Sequence, residues 1–389
     1  MLSTTNPKYK RYRNVINMKN TDEILEQFFH ERNSSKNTII NYTRIVGIYE
    51  TFTGKCLNDL LELADDEEYN NIRWKNTDTR RYILSYRDFL FNKYNVSTAQ
   101  LYLTAILTIY RHFEITIPPL PYYSTKHAKK SEPLRYDQLL DRDILRECIE
   151  ISSPVAKSII LFMSSSGVSR IDVLNLTIGD YLKATSDYHN QDQSVKYAIR
   201  EMRDTEEPII PTFNLTRQKT GQKYFTFCSH EAVKTINNYL LTRTEILKKD
   251  LPLFKVHERY FNMIFEKLNG HFGLGKVGNW NRIRSHMLRK YHASQLAEAG
   301  MSTDHINLLQ GRKIPGIAHE TYIRIKPETL REEYIQALPY LVISDETRVK
   351  TELETVKNEN NILKDNMDEI MNRLDHLESL SWDDIKNEY

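Results

Sequence analysis

Four short sequence signals between residues 165 and 324 combine side chains that can bind an anion and attack it. They read Ser165-Ser-Gly-Val-Ser-Arg170, Thr216-Arg-Gln-Lys219-Thr-Gly, His286-Met-Leu-Arg289, and Gln310-Gly-Arg312-Lys-Ile-Pro followed by His319-Glu-Thr-Tyr322-Ile-Arg. Arginine and lysine bind anionic oxygens, histidine can transfer a proton, and tyrosine can act as a nucleophile. Each signal is weak alone, because roughly 0.8 His-x-x-Arg pairs would arise by chance in such a chain. Their order and spacing therefore matter more than any single motif.

In this order the residues resemble the tyrosine recombinase (phage integrase) family, whose catalytic set is Arg, Lys, His-x-x-Arg, a His or other polar group, and then Tyr. The spacing from Arg289 to Tyr322 suits the family, and Asn37-Thr-Ile-Ile-Asn-Tyr42 looks like part of its core-binding domain. The Arg-Gln-Lys-Thr-Gly and Leu-Gln-Gly-Arg variants look closest to archaeal members. The resemblance covers most of the chain and implies a site-specific DNA recombinase or integrase that needs no cofactor and no metal.

The resemblance gives each residue a role in cutting DNA. Arg170 and Arg289 are expected to clamp the non-bridging oxygens of a phosphodiester, which gains charge as a fifth ligand attaches. Tyr322 is expected to attack phosphorus and form a covalent 3′-phosphotyrosyl link, which a free 5′-hydroxyl later reverses. Lys219 is expected to protonate the leaving 5′-oxygen, and His286 to donate a hydrogen bond or assist proton transfer at the nucleophile.

Two departures from the family pattern leave assignments open. Members usually carry a His or Trp nine or ten residues before the tyrosine, where this chain has Arg312 or Lys313. We expect an additional cation there to contact the phosphate, and favour Arg312. The usual acid three residues after the first arginine is also shifted, since Asp172 stands at plus two and Val173 at plus three. Two roles remain open for Asp172, orienting the site or capping a helix turn.

Other residues and other functions compete with this interpretation. Lys223 is the alternative to Lys219, and Tyr334, in an Arg-Glu-Glu-Tyr helical run, is the alternative to Tyr322. Taken singly, each candidate could be an ion-paired arginine, a core histidine or a half-buried tyrosine. The alternative functions are a type IB topoisomerase, which acts as a monomer, and a catalytically silent DNA-binding protein on a recombinase scaffold. A catalytically silent protein would have no chemical reason to keep all five candidates, so their presence favours the enzyme: Arg170, Lys219, His286, Arg289 and Tyr322.

The elements that must position these residues define a mainly α protein. Apolar residues at helical spacing, such as Ile39, Tyr42 and Val46, predict a small all-helical domain near the N-terminus. We expect five parts: a basic N-terminal arm at 1–20, a helical core-binding (DNA-binding) domain at 21–116, a basic Pro-rich linker at 117–133, a mixed α/β catalytic domain at 134–344 and an acidic coiled-coil tail at 345–389. The linker is either a flexible tether or a strap along a phosphate backbone.

The catalytic domain is predicted to combine helices with a small antiparallel sheet. Helical segments are expected at 136–166 and 170–177 and from 229 to about 338. The β-like runs are at 197–200, 208–216 and 223–228, and a Thr220-Gly221 turn joins the last two into a hairpin.

The tail carries a heptad repeat that predicts a parallel two-stranded coiled coil. Its apolar seam is Val349, Leu353, Val356, Asn360, Leu363, Met367, Ile370, Leu374 and Leu377, with opposite charges in the pairs Glu352–Lys357′, Glu359–Lys364′ and Arg373–Glu378′. A buried Asn360 is best satisfied by the same residue on an in-register partner. We therefore expect a homo-oligomer, a dimer through the tail and a tetramer in the synapse. The alternative is an amphipathic helix folded back on its own domain.

Charge and composition fit a protein that works on DNA inside a cell. The chain has 54 basic and 52 acidic residues; 345–389 holds 6 and 13 of them, so 1–344 holds 48 and 39. The positive body suits double-stranded DNA as a partner. Three scattered cysteines without a CxxC pair suggest neither disulfides nor a zinc site, and the polar, basic N-terminus predicts neither secretion nor membrane contact. We expect a cytoplasmic location on the DNA of a prokaryotic host, with a virus or mobile element as a fitting source.

Overall fold

The computed structural model describes residues 21–126, 129–130, 134–190, 193–205, 208–312 and 326–345 and, in the tail, residues 356–357, 361, 363–364 and 366–376. Tyr322, Lys313 and Asn360 lie outside the described residues. The chain divides into two compact units, Met1–Pro133 and Leu134–Tyr389. None of the helices in the described ranges is long and apolar enough to cross a membrane.

The described residues of the first unit form five helices with a shared apolar and aromatic core. They are α1 (Thr21–Glu31), α2 (Lys36–Thr53), α3 (Leu57–Tyr69), α4 (Asp78–Lys93) and α5 (Val96–His112), with a single 3-10 turn at Trp74–Asn76. Ser35, Thr77 and Asn95 begin α2, α4 and α5 by accepting a hydrogen bond from a first-turn backbone N–H. Deep in the core the hydroxyls of Tyr49 and Tyr110 lie 3.1 Å apart and satisfy one another.

The first part of the predicted linker packs on this helical unit instead of hanging free. Ile117 is buried in its core. The ring of Tyr123 lies 4.8 Å from that of Phe91, and the Arg87 guanidinium lies 4.5 Å from the Tyr123 centroid. Arg87 also donates to the carbonyl of Pro121 at 2.9 Å. These contacts fix residues 117–123 in place, so a tether could begin only beyond them.

In the residues described between 134 and 345, the second unit is mainly helical, with two small antiparallel sheets. Its helices are α6 (Arg142–Glu150), α7 (Pro154–Ser166), α8 (Arg170–Asn175), α9 (Ile178–Ala184), α10 (Val195–Asp204), α11 (His230–Thr242), α12 (Glu258–His271), α13 (Ser285–Glu298), α14 (Thr303–Leu309) and α15 (Pro327–Leu341). Strands β1 (Thr212–Thr216) and β2 (Lys223–Phe227) form one sheet, and the two-residue strands β3 (Lys276–Val277) and β4 (Trp280–Asn281) form the other. The prediction of a mainly helical protein with a small antiparallel sheet is confirmed.

Helix α7 is the centre of the second unit. Its residues from Ile159 to Ser166 are all buried, as expected for a helix that is apolar on every side. It packs against α11 and α13. Its serines avoid an unsatisfied hydroxyl by donating to backbone carbonyls; Ser166, for example, donates to Phe162 at 2.6 Å. The helix ends at Gly167, which adopts a φ of 64°.

The sequence prediction was wrong for one strand and right for the hairpin. Residues 197–200 lie in α10, where Val195, Ala198, Ile199 and Met202 are buried at helical spacing. A four-residue run is too short to separate a period of two from one of 3.6. The β1–β2 hairpin forms where it was predicted, with Thr212 opposite Phe227 and Thr216 opposite Lys223. The β3–β4 pair was not predicted.

The predicted coiled coil is not confirmed. The described tail residues are helical and solvent-exposed. Five described members of the predicted seam are 49–64% exposed: Val356, Leu363, Met367, Ile370 and Leu374. The seam therefore remains uncovered along the described part of the tail.

Glu231, in the first turn of α11, holds the chain that follows α15. Its carboxylate accepts hydrogen bonds from the backbone N–H groups of Ile343 (2.9 Å) and Ser344 (3.1 Å). Burial raises its pKa to about 6, against the two N–H donors and Arg142, which lower it. The folded protein thus holds a proton on Glu231 more tightly than the unfolded chain does.

We predict that Glu231→Gln removes a pH dependence from the stability of the second unit. The pKa of Glu231 rises from 4.5 to about 6 on folding, which adds about 2 kcal/mol to the free energy of unfolding. This stabilisation is fully present below pH 4.5 and is lost as the pH rises through 6. Denaturant unfolding at pH 4.5 and 7.5 would measure it in the wild type, in Glu231→Gln and in a control at the exposed Glu266→Gln. The same pH dependence in the wild type and in Glu231→Gln would disprove this.

Candidate functional site

Arg289, in the middle of α13, is a buried cation held by two backbone carbonyls. Its side chain donates through Nη1 to Gly167 O (2.5 Å) and through Nη2 to Gln310 O, and the residue is 5% exposed. Burial lowers its pKa to about 10, helped by Arg312 and Arg217 and opposed by Tyr224 and Asp172. The two carbonyls accept from two of its five N–H groups but do not neutralise the charge, so the site favours an anion.

Gly167 brings the end of α7 directly against His292 of α13. A Cβ on Gly167 would lie 2.5 Å from His292 Nδ1, and the φ of +64° also disfavours any other residue. The Nε2 amide of Gln310 donates to His292 Nδ1 and to Arg289 O, both at 3.0 Å. Burial and the neighbouring Arg289 and Arg312 lower the pKa of His292 to about 3. His292 is therefore a neutral residue. It packs against Gly167 and bonds Gln310, the two residues whose carbonyls accept from the Arg289 side chain.

Arg312, the additional cation favoured from the sequence, lies near this buried arginine. It follows α14 and Gly311, and its backbone N–H donates to Asn307 O at 2.8 Å. Burial and the nearby Arg217 lower its pKa. Arg312 also lowers the pKa of Arg289, which places the two charges in one electrostatic neighbourhood.

The β1–β2 hairpin contributes Arg217, which the sequence motif contained but did not single out. Its Nη1 donates to Gly311 O at 2.9 Å, and a Cβ on Gly311 would lie 2.7 Å from the Tyr224 ring of β2. Lys219, two residues farther into the turn, is exposed. Lys223 is also exposed and pairs with Thr216 at the start of β2. Both lysines extend from the hairpin into solvent.

Asp172 ties this hairpin to α8. It is buried, and its carboxylate accepts from Ser169 Oγ at 2.7 Å and from the backbone N–H of Gln218 at 2.9 Å. The contact with Ser169 lies at the start of α8, as a capping role requires, whereas the contact with Gln218 joins Asp172 to the residue beside Arg217. The carboxylate also opposes the lowering of the Arg289 pKa.

Arg170 pairs with side chains of α12. Its guanidinium pairs with Glu258 Oε1 at 3.0 Å and donates to Asn262 Oδ1 at 3.1 Å, both on α12, and its side chain is 41% exposed. Ser169, one residue earlier, is the residue that contacts Asp172. Ser169 has an extended backbone and precedes α8, whereas Arg170 is the first residue of the helix and pairs with α12.

His286 stands one helical turn before Arg289 on α13 and is exposed. Partial burial lowers its pKa, and the cations Lys290, Arg284, Arg312 and Arg289 lower it further. This lowering favours the neutral imidazole, which can donate one hydrogen bond and accept a proton at its other nitrogen. An anion bound beside it would raise the pKa again.

Tyr334, the alternative nucleophile, is a core residue. It is fully buried, its hydroxyl donates to Ser165 O at 2.8 Å, and its ring lies 5.2 Å from that of Phe227. Burial raises its pKa well above the usual value. Tyr322 therefore has no competitor at position 334.

The arrangement can bind and polarise an anionic oxygen group. Arg217, Arg289 and Arg312 share one neighbourhood, with His286 at its edge and Asp172 as a carboxylate that offsets part of the charge. No group of three or more His, Cys, Asp or Glu side chains that could hold a metal ion occurs in the described part of the chain. Sequence reasoning missed Arg217, Gln310 and His292, although the first two stand inside the motifs it quoted.

Comparison with known proteins gives a likeness in structure only. No protein-family model matches the chain, and no curated protein matches it. A crystal structure of XerA recombinase matches at 20% identity and a TM-score of 0.32, covering 82% of this chain and 98% of that one. XerH site-specific recombinase bound to difH substrate matches at 15% identity and a TM-score of 0.48, covering 80% of this chain and 83% of that one. A lambda integrase (75–356) dimer bound to a COC′ core site matches at 15% identity and a TM-score of 0.45, covering 79% of this chain and 98% of that one.

We predict that Gly167→Ala costs more stability than the same change at a matched open glycine. Gly273 has a similar φ of +57°, but nothing lies within 4 Å of its Cβ position. The left-handed backbone alone should cost about 1 kcal/mol in either variant, and the contact with His292 should add about 2 kcal/mol to Gly167→Ala. Urea unfolding of both variants would measure the difference. An equal loss in both would mean that the contact relaxes without cost.

Proposed function

We propose that this protein is a site-specific DNA recombinase, an integrase of the tyrosine recombinase family. It cuts and rejoins DNA strands through a 3′-phosphotyrosyl intermediate with a free 5′-hydroxyl. The observation that carries the proposal is the buried, un-neutralised Arg289, grouped with Arg312 and His286. These residues occur in a chain whose motifs run in the family's order up to Tyr322.

The cationic group binds the scissile phosphate. Arg289 and Arg312 hold the non-bridging oxygens, and the carbonyls of Gly167 and Gln310 fix Arg289 before DNA arrives. Donors that are already in place require no reorganisation as charge develops on phosphorus. His286 donates to the same phosphate or assists proton transfer at the nucleophile.

Tyr322 and Lys219 carry out the covalent step. The Tyr322 oxygen forms a bond to phosphorus as the bond from phosphorus to the 5′-oxygen breaks, and Lys219 protonates that oxygen. Attack by a 5′-hydroxyl from another strand reverses the step and rejoins DNA. An exposed position in a hairpin turn lets Lys219 reach the leaving group.

The first unit and the tail supply DNA contacts and assembly. We place double-stranded DNA against the helical unit of residues 21–116 as well as the catalytic unit, in the cytoplasm of a prokaryotic host. The tail pairs two copies in a parallel coiled coil, and two such dimers form the synaptic tetramer. The exposure of Leu363, Met367 and Ile370 supports pairing over folding back, because a folded-back helix would bury that face. The archaeal likeness of the motifs stays a prediction.

We predict that Tyr322→Phe abolishes covalent attachment to DNA, because it removes only the attacking oxygen. The substrate is a library of nicked duplexes of random sequence, from which wild-type adducts are recovered on a denaturing gel. Tyr334→Phe is the matched control and should still form adducts, since that hydroxyl contacts Ser165 O in the core. Adducts that persist in Tyr322→Phe, or vanish only in Tyr334→Phe, would refute the nucleophile. A wild-type protein that forms none would refute the function.

We predict that removing residues 346–389 lowers the oligomeric state but leaves cleavage of a nicked site intact. This truncation keeps Asp345, whose carboxylate pairs with Arg146 at 2.9 Å. Within the full chain, Asn360→Leu should relax the preference for two strands and favour higher oligomers. Sedimentation would measure both. An unchanged oligomeric state after truncation would show that the tail does not pair.

A further inference from the structure

We propose that Arg217 is the second guanidinium of the phosphate site, in the role that the sequence motif gave to Arg170. The inference rests on the proposed function for the identity of the ligand as a DNA phosphodiester. The statement that Arg217, Arg289 and Arg312 form one anion site rests instead on their hydrogen bonds and their charges in this structure.

Three consecutive residues connect the three guanidiniums. Gln310 O accepts from Arg289, Gly311 O accepts from Arg217, and the next residue is Arg312 itself. The short segment after α14 therefore gathers two arginines from other elements around a third. Gly311 permits this because its φ is +60° and its Cα packs against Tyr224 without room for a side chain.

Arg217 is held in place and keeps donors free. Its backbone N–H donates to Gln222 O at 2.8 Å, and its carbonyl accepts from Gly221 N at 2.8 Å, so the turn around it is closed. The next residue, Gln218, is fixed by Asp172. A guanidinium has five N–H donors; in the described structure Gly311 takes one of Arg217's, and its buried Nε has no partner.

The charges of Arg217 and Arg170 are balanced differently. Arg170 already pairs with Glu258 and Asn262 on α12. Arg217 instead adds to the positive field at Arg289 and Arg312 and lowers the pKa of both. An oxyanion bound among the three would relieve this repulsion, whereas near Arg170 it would meet the carboxylate of Glu258.

Titration of inorganic phosphate into the full-length protein by calorimetry, at low ionic strength, tests the site without assuming a reaction. Arg217→Ala should weaken phosphate about tenfold or more, the usual effect of losing charge-assisted hydrogen bonds. Arg217→Lys keeps the positive charge but loses the paired N–H donors of the guanidinium, so its phosphate affinity should lie between those of wild type and Arg217→Ala. Arg170→Ala should stay within about twofold of wild type, as should Arg203→Ala, a control whose guanidinium pairs with the neighbouring Asp204.

Unchanged binding in Arg217→Ala, a loss confined to Arg170→Ala, or no measurable binding by the wild type would each overturn the inference. If Arg217→Ala melts early because its bond to Gly311 is lost, Arg217→Lys decides the question. Affinity like that of wild type in a stable Arg217→Lys would then count against Arg217.

Cleavage of a duplex recovered in the adduct experiment tests the same residue in catalysis. A scissile phosphate with a methyl group in place of one non-bridging oxygen carries no negative charge. The rate defect of Arg217→Ala should therefore shrink at least tenfold on that substrate, whereas a purely structural defect would be equal on both. If phosphate binding depends on Arg217 but the wild type never forms an adduct, the anion site stands and the recombinase proposal fails.

Discussion

The second unit depends on keeping one cation, Arg289, inside the protein. A buried guanidinium needs acceptors for its N–H groups, and here two carbonyls from distant parts of the chain supply them. Gly167 must take a left-handed conformation to present its carbonyl, and Gln310 must lie close enough to bond both Arg289 O and His292. The junction of α7, α13 and α14 is built around this one side chain.

The same constraint explains why nearby charges are left unbalanced. Carbonyl acceptors hold Arg289 without cancelling its charge, and Arg217 and Arg312 add to it, so burial and repulsion together lower its pKa to about 10. A structure that needed Arg289 only for packing would be better served by a neutral residue. An anion bound among these arginines would reduce their mutual repulsion.

The hairpin contacts the segment that follows α14 through Arg217 and Tyr224, which both meet Gly311. Asp172 holds the turn by accepting a hydrogen bond from the backbone N–H of Gln218. Gly311 packs against the Tyr224 ring of β2 without room for a side chain. The turn itself, with Lys219, extends into solvent. Under the proposed function, Arg217 at the base of this hairpin would contact the phosphate and Lys219 in its exposed turn would protonate the leaving group.

Local patterns in the sequence predicted those elements whose signals are local. The β1–β2 hairpin follows from two alternating runs and a Thr-Gly turn, and the helices from long apolar periods; the run at 197–200 was too short to be assigned correctly. Motif order also gathered His286, Arg289 and Arg312 as one candidate group, and the structure places their charges together.

Only the tertiary structure decided which arginine joins that group. Arg170 and Arg217 both stand in quoted motifs, but Arg170, at the start of α8, is engaged by Glu258 and Asn262 on α12. Arg217 reaches the site because Gly311, 94 residues later, offers it a carbonyl. Such a partnership depends on contacts between distant segments, which no local pattern in the chain encodes.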